Sequence, residues 1–182
     1  MLVLLDRDGV INEDRPDFVK TPGELVLIPG ALDAITSLNE AGHLTAIVTN
    51  QSCIGRGLIS LEKLDEIHAK LLSALAAKGG RIDHIFVAPD APWEATDNRK
   101  PGAGMFSSAL SMFRTKPENT VLIGDSKRDL QAAQKAGCHR ILVRTGKGRQ
   151  TQKDGLEPDL LPVTVAQDLT EAVHFIHEGR FS

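Results

Sequence analysis

Short apolar runs alternate with amphipathic helical segments along the chain, and this alternation restricts the fold more than any other feature. Strands are expected at 2–5, 44–49, 82–88, 120–124, 140–143 and 163–165, with a possible short strand at 25–28. Helices are expected at 30–41, from Ser60 to Gly79, at 104–113, at 126–136, and after a capping box of Asp168 and Glu171. This order predicts an α/β fold, a Rossmann-like, doubly wound, mostly parallel sheet with helices on both faces.

The domain organisation follows from length and from the absence of breaks. A chain of 182 residues suits one domain, and no linker or repeat divides it. We therefore expect a single domain over 1–182, with residues 10–29 forming a small flap. No large insertion interrupts 10–29 or 50–81 beyond one helix, so no large cap domain is expected. The loops at 12–19, 51–59 and 88–100 should then shape the pocket.

Charge and composition narrow the partners. The net charge of −3 gives no electrostatic reason to expect nucleic acid or an acidic membrane surface. Asp6 interrupts the first apolar run, which is too short for a signal peptide or a membrane span. Cys53 and Cys138 show no ligand spacing, so we expect free thiols in a reducing compartment. A cytoplasmic monomer is the expectation.

The first strand ends in Asp6-Arg7-Asp8-Gly9, and Gly9 permits a sharp turn. Side chains alternate in an extended segment, so Asp6 and Asp8 should share one side and Arg7 should point away. Two neighbouring carboxylates need a cation or a shared proton to coexist. One could attack phosphorus while ionised, and the other could take a proton and give it to the leaving oxygen. An ordinary Asp-Gly turn is the alternative.

Three later segments also carry polar groups that could contact a phosphate or a metal ion, and the first of them follows the second strand. Thr49, Asn50 and Gln51 follow the second strand, where a hydroxyl and backbone N–H groups could hold phosphate oxygens. Ligands in such folds bind at the carboxyl ends of strands. Taken alone, this segment would be an ordinary polar loop.

The remaining two strand ends supply a cation and further carboxylates. Arg99-Lys100 precedes a helix, and Lys100 could neutralise both the aspartate pair and a transferring phosphoryl group. Asp125 follows the fourth strand as a candidate ligand of Mg²⁺, with Asp129 one helical turn later to orient it or hold a bound water. A solvated basic pair and a helix cap are the alternatives.

Together these four segments, in this order, resemble the motifs of the haloacid dehalogenase superfamily over residues 1 to about 145. Three longer stretches are similar to the heptose-bisphosphate phosphatase family: Thr49-Asn50-Gln51-Ser52-x-Ile54-x-Arg56-Gly57, Arg99-Lys100-Pro101-x-x-Gly104-Met105 and Leu142-Val143-Arg144-Thr145-Gly146. Histidinol-phosphate phosphatases are that family's closest relatives.

The resemblance implies a magnesium-dependent phosphatase that removes the C7 phosphate of D-glycero-D-manno-heptose 1,7-bisphosphate, a step toward bacterial lipopolysaccharide. It implies Asp6 as nucleophile, Asp8 as acid and base, and Mg²⁺ held by Asp6, the Asp8 carbonyl and Asp125. Arg56 and Arg99 are candidates for holding the retained phosphate, because a guanidinium grips phosphate with two hydrogen bonds. Ser126 departs from the family pattern, where a lysine often follows the metal aspartate.

Other functions stay open at this point. A non-catalytic phosphosugar-binding protein would not need Asp8. A nucleic-acid 3′-end phosphatase would share Thr49-Asn50 but would need a basic, aromatic-rich face. A histidinol-phosphate phosphatase is the alternative within the enzyme class. We interpret residues 146–149 as a basic loop, and His68, His84 and His139 as scattered surface or helix positions.

The stretch at 88–100 generates one prediction. Many relatives carry a zinc-binding loop before Arg-Lys-Pro, but this stretch contains neither Cys nor His. Because a structural zinc site needs about four nitrogen or sulfur ligands, we expect no structural zinc. Elemental analysis of the purified protein should show substoichiometric zinc. One tightly bound zinc ion per chain would contradict the prediction.

Overall fold

A six-stranded, fully parallel sheet forms the centre of the computed structural model, which describes residues 1–181. The strands are β1 (Leu2–Leu5), β2 (Leu44–Asn50), β3 (His84–Ala88), β4 (Thr120–Gly124), β5 (His139–Val143) and β6 (Thr164–Ala166). Their order is β3-β2-β1-β4-β5-β6, so the chain winds outward from β1 in both directions. The predicted fold class is confirmed.

Helices connect the strands. They are α1 (Ala31–Glu40), α2 (Ser52–Gly55), α3 (Leu61–Ala76), α4 (Gly104–Met112), α5 (Lys127–Lys135), α6 (Gly148–Asp154) and α7 (Leu169–His177). Short 3-10 turns lie at Pro22–Glu24, Pro92–Glu94, Pro117–Asn119 and Pro158–Leu160. Ser60 caps α3 as predicted, because its hydroxyl accepts from the backbone N–H of Lys63.

The sheet is buried on both faces, and β1 shows this most directly. Val3 and Leu5 belong to the core that packs under α1, α3 and α7, whereas Leu2 and Leu4 belong to the core under α4 and α5. A strand covered on both sides is apolar throughout rather than alternating. Within residues 1–181, no helix combines the length and apolar character that a membrane span requires.

Several local predictions need correction. Residues 25–28 do not form a strand, since only a single bridge joins Asn12 to Leu27. Glu171 does not close a capping box, because its carboxylate accepts from Gln167 N while Asp168 alone caps α7. Helix α2 was missed, and α6 occupies the end of the predicted basic loop at 146–149. Both helices are only a turn or two long, too short to show an apolar period.

The register of the central strands places the site. Leu5 of β1 pairs with Ile47 of β2 on one side and with Ile123 of β4 on the other. Parallel strands end at the same edge, so the residues that follow these three strands meet there. In the region 10–29, Val10, Ile11, Val19 and Leu25 are buried in the core. The single-domain assignment and the flap at 10–29 stay predictions.

Candidate active site

A cavity of about 450 Å³ lies at the carboxyl edge of β1, β2 and β4. Its walls include nine of the ten residues that the sequence analysis selected: Asp6, Asp8, Asn50, Gln51, Arg56, Arg99, Lys100, Asp125 and Asp129. Thr49, the tenth, is buried beneath the wall, where its hydroxyl accepts from the Gln51 amide at 2.9 Å. The loops at 12–19, 51–59 and 88–100 all contribute to the wall, as expected.

Lys100 and Asp6 form the centre of the site. The Lys100 ammonium lies 3.0 Å from Asp6 Oδ2 and 2.5 Å from Asp129 Oδ1, and it donates to the carbonyl oxygen of Val48 at 2.9 Å. Burial would lower the pKa of Lys100, but Asp129 and Asp6 raise it, so the ammonium stays charged. Burial raises the pKa of Asp6 well above its usual range, and Asp129 adds to this shift while Lys100 opposes it.

Asn50 braces the backbone that carries the lysine. Its amide nitrogen donates to the carbonyl oxygen of Lys100 at 3.0 Å, and its amide oxygen accepts from the N–H of Lys100 at 3.0 Å. This two-point contact joins the end of β2 to a residue fifty positions later in the chain. The Asn50 side chain therefore positions Lys100, and the predicted contact of Asn50 with substrate stays a prediction.

Asp8 is held by donors from three segments. Both carboxylate oxygens accept from Arg7 Nη2 at 3.0 Å, Oδ1 accepts from the Asn12 amide at 2.9 Å, and Oδ2 accepts from the Gln51 amide at 2.7 Å. Burial acts to raise the pKa of Asp8, but Arg7, Asn12 and Gln51 together lower it.

One expectation is corrected here. Asp6 and Asp8 both face the cavity as expected, but the Arg7 side chain folds back onto Asp8 instead of pointing away. The resting form of Asp8 is the ionised one, because hydrogen bonds from charged and amide donors favour the carboxylate. The amide nitrogen of Gln51 donates to both Asp8 and Thr49, which favours a role for Gln51 in orienting these two side chains.

Asp125 and Asp129 complete a group of carboxylates with Asp6. One oxygen from each of the three lies within 4.8 Å of the others. Burial, with the charge of Asp129, raises the pKa of Asp125 to about 7. Burial would also raise the pKa of Asp129, but Lys100 and Ser126 lower it, since Asp129 Oδ2 accepts from Ser126 N at 3.0 Å and from its hydroxyl at 2.6 Å.

These residues fit Mg²⁺. Hard carboxylate oxygens are its preferred protein ligands, and a divalent cation would offset the burial and the repulsion that raise the pKa of Asp6 and of Asp125. The local backbone is shaped around the Asp125 carboxylate. A Cβ at Gly9, where φ is 84°, would lie 2.1 Å from Asp125 Oδ2, and Lys147 N donates to the same oxygen at 2.8 Å. Only glycine fits at this close approach.

The cavity mouth is strongly basic. Arg56, Arg99 and Arg128 all line it, and the charges of Arg128 and Arg56 add to burial in lowering the pKa of Arg99. Arg56 lies over two aromatic rings, 5.9 Å from the Phe18 ring centre and 5.0 Å from that of Trp93. Arg99 is tied by Nη1 to the carbonyl oxygen of Asp90 at 2.9 Å.

Sequence reasoning missed several cavity residues. Arg128 is one, and Asp14 and Lys147, which form a 2.6 Å ion pair, are others. Arg128 lies between two selected aspartates, in the first turn of α5, and that position was an available signal. For Asp14 and Lys147 there was little signal, because a pairing across more than a hundred residues leaves no local pattern.

The parallel sheet, the paired aspartates after β1, the buried lysine and the aspartate after β4 define the haloacid dehalogenase class of hydrolases. A family model described as HAD-hydrolase-like matches residues 98–172.

Closer relatives are more specific. The chain is 44% identical over 155 residues to D-glycero-beta-D-manno-heptose-1,7-bisphosphate 7-phosphatase of Pseudomonas putida, covering 85% of this chain and 89% of that protein. It is 43% identical over 158 residues to the enzyme of the same name from Bordetella bronchiseptica, covering 87% and 88%. The chain therefore belongs to the heptose-bisphosphate phosphatase family of the haloacid dehalogenase superfamily.

Solved structures agree. D,D-heptose 1,7-bisphosphate phosphatase from B. bronchiseptica, in complex with magnesium and phosphate, matches with a TM-score of 0.93 and 40% identity, covering 98% of each chain. The corresponding enzyme from Burkholderia thailandensis matches with a TM-score of 0.74 and 39% identity, covering 97% of each chain.

The raised pKa of Asp125 leads to a testable prediction. A carboxyl group whose pKa is higher in the folded chain than in the unfolded chain destabilises the fold once the pH exceeds the unfolded value, because ionising it costs more in the folded state. At pH 8 without metal, Asp125→Asn should therefore have a Tm equal to or above that of the wild type.

Added Mg²⁺ should reverse this order. At a hundred times its dissociation constant, we expect Mg²⁺ to raise the wild-type Tm by roughly 5–10 °C and to leave Asp125→Asn almost unchanged. Asp17→Asn, at an exposed carboxylate outside the cavity, is the control and should respond like the wild type. An equal Mg²⁺ shift in Asp125→Asn would remove Asp125 from the metal site.

Proposed function

We propose that the chain is a magnesium-dependent phosphatase that hydrolyses the C7 phosphate of D-glycero-D-manno-heptose 1,7-bisphosphate through a phosphoryl group carried on Asp6. The observation that carries the proposal is the convergence of Asp6, Lys100 and Asp125 in the cavity, with Asp8 two residues from the nucleophile. The names of the curated relatives supply the substrate.

In the first half-reaction, a carboxylate oxygen of Asp6 forms a bond to phosphorus while the bond from phosphorus to the sugar oxygen breaks. The leaving oxygen takes a proton from the Asp8 carboxyl group. Lys100 favours the ionised form of Asp6 against the effect of burial, and it offsets the charge that builds up on the phosphoryl oxygens. Asp6, the Asp8 carbonyl and Asp125 would hold Mg²⁺, whose positive charge lets the anionic nucleophile approach an anionic phosphate.

In the second half-reaction, water attacks phosphorus and Asp8 accepts the water proton, which releases phosphate and restores Asp6. Asp8 must therefore hold a proton at one stage and lack it at another. Its resting donors favour the ionised form, so proton uptake requires that some of the contacts from Arg7, Asn12 and Gln51 be given up when substrate is bound.

The basic cavity mouth suits the phosphate that is retained. The C7 phosphate is on a primary carbon and can reach Asp6, while the C1 phosphate is attached directly to the ring. We assign the C1 phosphate to Arg56 and Arg99, and add Arg128 because it completes the basic cluster. The rings of Phe18 and Trp93 restrict Arg56 before substrate arrives, so less rotamer freedom is lost on binding.

The cellular setting is part of the same proposal. Removal of one phosphate from a heptose bisphosphate would serve nucleotide-activated heptose synthesis for lipopolysaccharide in the cytoplasm. The partner would be a small phosphorylated sugar, bound by a monomer without nucleic acid or membrane. The net charge of −3 gives no electrostatic reason for a nucleic acid or membrane partner and so supports this assignment.

Substitution of the two aspartates tests the chemistry. Asp6→Asn should abolish turnover, because an amide cannot form the phosphoryl intermediate. Asp8→Asn should reduce kcat by about 10²–10⁴-fold, the usual contribution of a general acid or base. Steady-state phosphate release with excess Mg²⁺ gives both values, and near-normal turnover by Asp6→Asn would exclude the mechanism. Histidinol phosphate is the comparison substrate, and a higher kcat/KM for it would reverse the substrate assignment.

Regiochemistry and the second phosphate are tested together. Phosphorus NMR should show heptose 1-phosphate as the product. Arg56→Ala should lower kcat/KM for the bisphosphate by about 10-fold or more, the loss expected for a charge-assisted hydrogen bond, and should affect heptose 7-phosphate much less. Arg81→Ala, outside the cavity, is the control. Heptose 7-phosphate as the product, or equal losses on both substrates, would reject the assignment.

A further inference from the structure

Arg7 is the largest fully buried side chain, and its guanidinium has few partners. Nη2 donates to both oxygens of Asp8 at 3.0 Å, and Nη1 lies 3.2 Å from Nε2 of His68. Nε has no partner among the described residues. His68 is thus the one side chain besides Asp8 that receives a hydrogen bond from this guanidinium within residues 1–181.

His68 reaches Arg7 from a neighbouring helix. It lies on α3, 61 residues after Arg7 in the sequence, on the buried face that also carries Leu64 and Ile67. Of the surface or helix positions expected for the histidines, His68 occupies a helix position, and its side chain is buried. A histidine in this place is therefore part of the packed core and also in contact with the catalytic turn.

The direction of the hydrogen bond follows from chemistry. Arginine has donors only, so Nε2 of His68 must be the acceptor and its proton must be on Nδ1. Burial and the adjacent charge of Arg7 lower the pKa of His68 to about 4, so the ring is neutral at physiological pH. A neutral acceptor at Nη1 satisfies the arginine without competing with Asp8 for its charge.

The geometry points to His68 as a positioning residue that fixes the Arg7 guanidinium and, through it, the orientation of the Asp8 carboxylate. This inference rests on the proposed role of Asp8 as acid and base. A planar guanidinium held at both Nη atoms has little freedom to turn. Without an acceptor at Nη1, the buried donor would be left unsatisfied, and the guanidinium would shift to recover a partner.

The consequence falls on one proton transfer. Asp8 must place its O–H toward the sugar oxygen as the bond from that oxygen to phosphorus breaks, so that the leaving group departs as an alcohol. A small misplacement of the acid slows this transfer. An alkoxide is a poor leaving group and needs the proton, whereas p-nitrophenolate is stable without one. Loss of Asp8 alignment should therefore affect the sugar phosphate far more than p-nitrophenyl phosphate.

His68→Leu and His68→Gln test the inference. The measure is kcat/KM, because it reports the steps up to leaving-group departure. His68→Leu should lower kcat/KM for heptose bisphosphate by about 10–100-fold, less than the loss expected when a general acid is removed altogether. On p-nitrophenyl phosphate it should lose less than about 3-fold, because little proton transfer is required. His68→Gln should recover most of the loss, because its amide oxygen can accept from Arg7. KM for the sugar phosphate should change little compared with kcat.

Two further variants separate positioning from general destabilisation. His68→Asn keeps a polar group but is too short to reach Nη1, so it should behave like His68→Leu and provides a second reading if the leucine variant does not fold. Leu71→Ala, at a buried position one turn later on α3, should lower Tm without discriminating between the two substrates.

The outcomes are distinct. Equal losses on both substrates in His68→Leu or His68→Asn, or no recovery in His68→Gln, would overturn the positioning role. Asp8→Asn is measured alongside. If it keeps full activity on heptose bisphosphate, the proposed function of Asp8 fails, and the failure is not that of His68 alone.

Discussion

The buried ammonium of Lys100 is the interaction on which the site depends. It lies between the carboxylates of Asp6 and Asp129, and it also donates a hydrogen bond to the carbonyl oxygen of Val48 in β2. Removing one member of such a buried ionic group leaves uncompensated charge, which is far more costly than the group's net contribution to stability. The brace from Asn50 is consistent with this, because it fixes the backbone of the residue whose displacement would cost most.

Four of the aspartates that line the cavity differ in pKa because their surroundings differ. The pKa values of Asp6 and Asp125 are raised, chiefly by burial, and those of Asp8 and Asp129 are lowered by the donors that surround them. The raised pair are the groups that a cation would stabilise as anions. The lowered pair already have positive partners at 3.0 Å or less, Arg7 for Asp8 and Lys100 for Asp129, and these partners favour the ionised carboxylates.

Sequence patterns predicted the strands that position this site but few of the hydrogen bonds within it. The strand Thr120–Gly124 was predicted with the observed bounds, because a β-branched run with turn residues on both sides is a local signal. The sequence drew attention to Asn50, Gln51 and His68 but gave no sign of their hydrogen-bond partners. Those partners are Lys100, Asp8 and Arg7 respectively, and only the fold brings each pair together. The basic cluster of Arg56, Arg99 and Arg128 also forms only in the fold, because its members come from three separate segments of the chain.

The three loops around the cavity are joined to each other by Arg56, which stacks on Phe18 from one loop and on Trp93 from another. Asp6 and Asp125, in contrast, follow β1 and β4 directly. Loops tolerate sequence change better than the sheet does. Substitutions in these three loops can therefore change which molecules enter the cavity without disturbing the transfer of the phosphoryl group. An enzyme built this way can evolve new preferences through a few rim substitutions while its chemistry is inherited intact.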